Sequence, residues 1–215
     1  MNIIVKGFTD EIKEGLNRLL QVHSFVNQDQ RDIEITVDKI LEGNTSLIVS
    51  GKDGWHIQYK ETVHFFRALG ILIENIDNSS FEKTETALYE GCSNMIDLSR
   101  NAVYTVDEMK RILCYLALTG HNKYYLYMED TYELPDYPYF GYLRGRYSIA
   151  EMKEIDDFAY ALGIEAIPCI QTLAHLKTTL KWNYALSMKD TEDILLVGEE
   201  KTYQFIEAMF VSLKQ

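Results

Sequence analysis

From Gly91 to Gln215 the chain repeats one pattern three times: an apolar strand, a polar strand end and an amphipathic helix. The strands read as Asn94–Leu98, Tyr124–Met128 and Glu165–Ile170. Thr105 with Glu108, and Ser148 with Glu151, have the capping-box spacing in which hydroxyl and carboxylate satisfy free backbone N–H groups reciprocally. Gly120 and Gly163 follow the last apolar positions of those two helices, where a left-handed residue ends a helix at least cost. A third helix is expected from about Glu199 to Leu213. Strand–helix alternation of this kind builds a parallel sheet with right-handed crossovers. No G-x-G-x-x-G follows any of the strands, which counts against a dinucleotide fold. Polar groups gathered where parallel strands end mark the catalytic face of a (β/α) barrel. Three units are fewer than half of the eight that a closed barrel needs.

Residues 1 to 85 have a different rhythm. Ile3–Val5 is a short strand candidate, and Phe8–Val22 carries Ile12, Leu16, Leu19 and Leu20 at helical spacing. Ile33–Val37 alternates strictly, as a half-buried strand does. Ser46–Val49 and Trp55–Tyr59 read as strands joined by the turn signal Ser50–Gly54. Glu61–Ile73 reads as a helix with Val63, Phe66, Leu69 and Leu72 or Ile73 on its apolar side. A few strands and two helices predict a small α+β domain. The polar stretch Ile76–Thr86 is expected to link it to a second domain, residues 86–215. The predicted fold class is therefore α/β: an α+β domain followed by the first three βα units of an incomplete TIM barrel.

The chain carries 21 Lys and Arg against 33 Asp and Glu, a net charge of −12. An acidic surface repels phosphate backbones, and the basic residues are scattered, so no nucleic-acid partner is expected. Cys92, Cys114 and Cys169 stand far apart in apolar runs, without the C-x-x-C of a zinc or redox site. The start of the chain lacks a signal-peptide core and no apolar run reaches membrane-spanning length, so a cytoplasmic protein without a membrane partner is expected.

Three strand ends could carry chemistry. Arg100, just beyond the first, could bind a ligand bidentately with Asp97 holding its side chain; the alternative is a structural ion pair. Glu129 and Asp130 end the second strand and could act as acid and base, as hydroxyl acceptors or as metal ligands; a solvated loop is the alternative. The connection that follows, Thr131–Tyr147, is unusually long and rich in tyrosine, whose flat faces and hydroxyls suit sugar rings or simply pack on the barrel rim. His175 lies just past the third strand end. Trp182 could be a platform or a core residue.

Together these segments resemble the family 20 glycoside hydrolases, the β-N-acetylhexosaminidases. Met95-Ile96-Asp97-Leu98-Ser99-Arg100 is similar to the family's first-strand motif, hydrophobic-x-Asp-x-x-Arg. Tyr125–Asp130 resembles the second-strand motif ending in an acidic pair, and Gly163–His175 the third-strand pattern ending in His. Cys169 and Gln171 depart from that pattern, which points to a subfamily resembling the intracellular streptococcal-type N-acetylglucosaminidases. Gly54–Leu69 looks like the end of the small domain that precedes the barrel in that family.

The resemblance implies an exo-acting retaining hydrolase for glycans ending in N-acetylhexosamine. In such enzymes the substrate's own acetamido oxygen attacks, an Asp orients it, and a neighbouring Glu protonates the leaving oxygen, with no cofactor or metal. It implies sugar contacts at Arg100 and His175, and at Asp130 and Glu129. The Asp-Glu pair belongs to the fourth strand and is expected beyond Gln215, so this chain holds no catalytic residue and should be inactive alone. Open strand edges predict self-association, or dependence on a further segment. A non-catalytic N-acetylhexosamine-binding or assembly module is the second reading. A metal-dependent α/β enzyme using Glu129 and Asp130 is the third.

Overall fold

In a computed structural model of the chain, residues 2–7, 10–22 and 32–214 are described. They divide into two compact units, one from residues 1–94, 107–124 and 157–165, the other from 95–106, 125–156 and 166–215.

The first unit contains a mixed five-stranded sheet. Its strands are β1 (Asn2–Lys6), β2 (Asp32–Lys39), β3 (Leu47–Ser50), β4 (Trp55–Tyr59) and β5 (Glu82–Glu85), in the order β1-β2-β4-β3-β5. β1, β2 and β4 run parallel, and β3 is antiparallel to both β4 and β5. The alternation over Ile33–Val37 is matched by burial, with Ile33, Ile35 and Val37 inside and the residues between them exposed. Two helices accompany the sheet, α1 (Asp10–Val22) and α2 (Thr62–Glu74). Ile12, Leu16 and Leu19 are the buried side of α1, as their spacing predicts; Phe8 and Thr9 lie outside the described residues.

The expected linker contains β5. Glu82-Lys83-Thr84-Glu85 has no apolar alternation: this edge strand is held by its backbone pairing to β3, with Glu82–Thr84 in solvent and half-buried Glu85 paired with Arg67 at 3.3 Å. Binary pattern carries no trace of such a strand.

The barrel-like strands are β6 (Ser93–Asp97), β7 (Lys123–Tyr127) and β8 (Glu165–Cys169), side by side in chain order. Starts bond to starts, with Lys123 N–H on Cys92 O and Glu165 N–H on Asn122 O. Ends bond to ends, with Leu98 N–H on Tyr127 O and Met128 N–H on Cys169 O. The strands are therefore parallel, and the predicted partial barrel is the observed fold. Helices α3 (Val106–Leu118) and α4 (Ile149–Ala161) follow β6 and β7. After β8 come a short α5 (Lys177–Leu180), a 3-10 turn (Asn183–Ala185) and α6 (Glu200–Lys214). The first two of these are too short for a hydrophobic period, which is why sequence patterning does not reveal them.

Local chemistry sets the helix ends. His121 N–H reaches Leu116 O at 2.9 Å and Gly120 N–H reaches Ala117 O at 3.0 Å; Ile164 and Gly163 close α4 the same way on Ala159 and Tyr160. At the start of α4, Ser148 N–H donates to Glu151 Oε2 at 2.8 Å and Glu151 N–H to Ser148 Oγ at 3.2 Å. This is the predicted capping box. Ser148→Ala is expected to lower the unfolding free energy by about 1 kcal/mol, read from urea denaturation.

Two helical glycines in the first unit mark backbone-to-backbone contact. A Cβ on Gly15 would lie 2.0 Å from Ala161 O, and one on Gly70 would lie 2.2 Å from Leu118 O. Neither opposing carbonyl belongs to a flexible side chain, so the elements must move apart. Gly70→Ala is expected to cost about 2 kcal/mol, seen as a lower urea midpoint.

Candidate functional site

The C-terminal ends of β6, β7 and β8 open on one pocket of about 420 Å³. It is lined by Ser99 and Arg100 after β6, Glu129 after β7, Arg144 from the long connection, and His175, Lys177, Thr178, Glu192 and Asp193 after β8. Of the four residues expected from sequence to touch sugar, three line it: Arg100, Glu129 and His175. The fourth, Asp130, is not among the lining residues, and its carboxylate is 1% exposed. Gln171 does not line the pocket either.

Electrostatics begin at β6. Asp97 Oδ1 accepts bonds from Ser99 N–H at 2.8 Å, Ser99 Oγ at 2.7 Å and Arg100 N–H at 3.1 Å. Burial alone would raise the Asp97 carboxyl, but these bonds outweigh it and hold its pKa below the ordinary value. Asp97 is expected from its position to hold the Arg100 side chain or to form a structural ion pair with it. Its bonds are instead to the backbone of the turn and the Ser99 hydroxyl, and the guanidinium pairs with Glu129 Oε1 at 2.8 Å. The Tyr127 hydroxyl and the Glu129 carboxylate together raise Arg100 further above its already high pKa. The Arg100 side chain remains 58% exposed, with surface left for a ligand.

Glu129 and Asp130 are both buried, and burying two adjacent carboxylates requires cationic partners. Arg144 supplies the second one. Its Nε donates to Asp130 Oδ1 at 3.1 Å, its Nη2 lies 3.8 Å from Glu129 Oε2, and Nη2 also donates to the Ser99 carbonyl. One guanidinium thus ties the ends of β6 and β7 together. Arg144 is the residue that sequence reasoning missed. The signal was present, an arginine between Leu143 and Gly145 in an acidic chain, beyond an acidic pair that needed compensation.

Backbone conformation singles out the same place. Four described non-glycine residues have positive φ: Asp53, Glu129, Leu143 and His175. Glu129 at +48° and His175 at +60° line the pocket, and Leu143 at +62° precedes Arg144. Each such conformation costs on the order of 1 kcal/mol, and such strain concentrates at functional sites.

The long connection is ordered by its aromatics and by Arg146, which donates to the Pro138 and Phe140 carbonyls. Tyr132 stacks edge-on against Phe140 at 5.0 Å, and Phe205 of α6 meets Tyr137, Phe140 and Tyr184 at 4.9, 5.9 and 5.9 Å. Burial pushes the Tyr132 hydroxyl well up, with the Asp130 charge adding to it, and pushes Tyr184 to about 12. Ser212 of α6 donates to the Glu133 carbonyl at 2.7 Å. Gly141 has φ +64°, and a Cβ there would lie 2.1 Å from the Asp130 carbonyl, so the connection returns to the end of β7.

Chemically the pocket offers guanidinium and ammonium donors, the carboxylates of Glu129, Glu192 and Asp193, and an imidazole at one opening. That set matches vicinal hydroxyl groups. Among the described residues no three of His, Cys, Asp and Glu gather as metal ligands. Among them, too, no helix is long and apolar enough to cross a membrane. The Cys114 thiol is buried and pushed up to about 12 by desolvation, the behaviour of a small hydrophobe.

No family model and no curated protein sequence matches the chain. Solved structures do. A family 20 exo-β-N-acetylglucosaminidase from Vibrio harveyi, in complex with N-acetylglucosamine, is similar with a TM-score of 0.80 at 15% identity over 99% of this chain and 41% of its own. The family 20 β-N-acetylhexosaminidase of Streptomyces coelicolor A3(2) gives 0.78 at 18% identity, over 99% of this chain and 52% of its own. A Flavobacterium johnsoniae chitobiase gives 0.75 at 18%, over 100% and 39%. The chain thus spans about two fifths to one half of the length of these structures. At such identities the likeness is one of fold: an α+β domain and partial barrel of the kind found in family 20 β-N-acetylhexosaminidases.

Proposed function

We propose that the chain is the leading part of an exo-β-N-acetylhexosaminidase and that the pocket at its three strand ends holds the terminal sugar of an N-acetylhexosamine-ended glycan. The observation that carries this reading is the convergence of Arg100, Glu129 and His175, from three different strand ends, on one opening. Arg100 donates to vicinal hydroxyls, Glu129 fixes the guanidinium and accepts from a hydroxyl, and His175 closes the far side. Arg144 and Asp130 keep that arrangement in place. In the full reaction the acetamido oxygen of the substrate is the nucleophile. Glu129 and Asp130 are engaged by arginine, Glu192 lies 3.7 Å from the Lys177 ammonium and Asp193 accepts from the Lys177 N–H, so none of these carboxylates is assigned the role of proton donor to the leaving oxygen. The 215 residues by themselves are therefore proposed to bind and not to hydrolyse.

That same observation favours one alternative, a sugar-binding or assembly module that uses the strand ends without catalysis. The two readings separate in one assay. The product of the complete coding sequence is expected to cleave a chromogenic N-acetylglucosaminide, with kcat/KM reduced about 10- to 100-fold by Arg100→Ala through loss of a charge-assisted bond. Sugar binding without cleavage would select the module. Neither binding nor cleavage would remove both.

The reading includes a cytoplasmic location and an exposed association surface. Parallel strands are ordinarily covered on both faces, yet Met95 on β6 is 57% exposed. On α6, Tyr203 and Phe210 are 50% and 57% exposed, and Ile206 between them is half-buried. The isolated chain is expected to self-associate in sedimentation velocity; a monodisperse monomer at tens of micromolar, a concentration on the order of many weak dimer constants, would contradict this.

A further inference from the structure

His175 lines the strand-end pocket with a backbone φ of +60°. A residue with a Cβ is disfavoured there, and glycine would hold the same turn without that cost. A histidine in this conformation persists only where its surroundings over-determine it. The bonds that do so come from one segment, residues 193–195. Before His175, the Leu173 carbonyl accepts from Leu195 N–H at 2.9 Å. After it, Leu176 N–H donates to the Asp193 carbonyl at 3.2 Å and Lys177 N–H to Asp193 Oδ1 at 3.1 Å. Asp193 thus holds both residues that follow the histidine, one with its main chain and one with its side chain.

That segment is itself firmly built. Lys189 and Leu195 form an antiparallel bridge, and Leu196 N–H donates to the Met188 carbonyl at 2.8 Å. Asp190 N–H and Thr191 N–H both reach the Ile194 carbonyl, at 3.0 and 3.2 Å. Leu195 and Met188 are buried and seat its base, while half-buried Asp193 stands near its tip and lines the pocket. The neighbouring Glu192–Lys177 pair, 3.7 Å apart with both side chains largely exposed, is too solvated to hold the backbone.

We propose that Asp193 is a positioning residue: it clamps the chain after the third strand so that His175 keeps the left-handed conformation in which it lines the pocket. Released from the clamp, His175 relaxes toward negative φ, its Cβ swings to a new direction, and the imidazole leaves its place at the opening. The main-chain bond of Asp193 survives substitution, so the carboxylate bond to Lys177 N–H is the part that a mutation reads. The effect on sugar binding rests on the sugar reading of the pocket; the clamp itself rests on the hydrogen bonds alone.

The test reads backbone and binding separately. The Cα and Cβ chemical shifts of His175, which distinguish left-handed from right-handed backbone, are measured without sugar, and N-acetylglucosamine is then titrated in. In Asp193→Ala the His175 shifts are expected to move toward right-handed values and the affinity to fall about 3- to 10-fold, the loss of one hydrogen bond. Asp193→Asn keeps an amide oxygen for the Lys177 N–H and is expected to keep both the shifts and the affinity. In a His175→Gly background, where the conformation is free of strain, Asp193→Ala should lower the melting temperature less than in the wild type. Unmoved His175 shifts in Asp193→Ala overturn the positioning role, and an affinity lost with those shifts unmoved makes Asp193 a direct sugar contact instead. Equal losses in Asp193→Asn and Asp193→Ala, or an equal drop in melting temperature in both backgrounds, also overturn it. If the wild type binds no N-acetylglucosamine while the His175 shifts still move in Asp193→Ala, the sugar reading falls and the clamp stands.

Discussion

Arg144→Met is expected to be among the most damaging single substitutions in the second unit, lowering its unfolding free energy by about 3 kcal/mol. The reason lies in what remains after the change rather than in the bonds removed. Asp130 and Glu129 are 1% and 4% exposed, and the sequence places them side by side at the end of β7. Arg144 is the partner of Asp130 and shares Glu129 with Arg100. Without it an adjacent pair of buried carboxylates keeps one exposed cation, and the desolvation of Asp130 is no longer offset. Asp130→Asn should remove most of that penalty. In a double-mutant cycle by urea denaturation, Arg144→Met/Asp130→Asn is expected to be more stable than Arg144→Met alone, with a coupling of about 1–3 kcal/mol. Independent, additive losses would mean that the two groups do not compensate each other.

Gly141→Ala is expected to lose a similar amount, for a steric reason. The residue combines φ +64° with a carbonyl 2.1 Å from where Cβ must go. The left-handed conformation costs alanine about 1–2 kcal/mol, and forcing the connection off the end of β7 adds about 1–3 kcal/mol. Gly43 and Gly198 separate the two contributions, since both have positive φ, +85° and +88°, with nothing within 4 Å of a Cβ. Alanine at either should show the conformational cost alone. If Gly141→Ala is no worse than Gly198→Ala, the return of the connection to Asp130 is not tight.

Much of the architecture was legible because its signals are local. The Ser148–Glu151 capping box, the glycine helix ends and the alternation of Ile33–Val37 each involve residues within a few positions of one another. They place α3, α4 and β2 to within a residue or two. β5 was not legible, since Glu82–Glu85 joins the sheet by backbone pairing to β3 and its side chains are all polar, Glu85 meeting Arg67 rather than an apolar core. At the site, Arg100, Glu129 and His175 could be named because strand ends follow directly from strand positions. Arg144 and the seating of Tyr137 and Phe140 could not. Both depend on how a long connection folds back, and the close approach of Gly141 to Asp130, with the seating of Tyr137 and Phe140 on Phe205, is long-range packing without periodicity. The role given to Asp97 failed for a related reason. A carboxylate three residues before an arginine can reach its side chain or the intervening backbone, and here the turn geometry favours the backbone.

The central claim is that the three strand ends form a pocket for a terminal N-acetylhexosamine, and amide chemical-shift mapping with N-acetylglucosamine tests it most directly. Ser99, Arg100, Glu129, Arg144 and His175 are expected to shift together along one saturable curve. Arg100→Ala is expected to abolish that curve while leaving the spectrum of the first unit unchanged. No saturable shift at those residues, or the same titration in Arg100→Ala, would contradict the account.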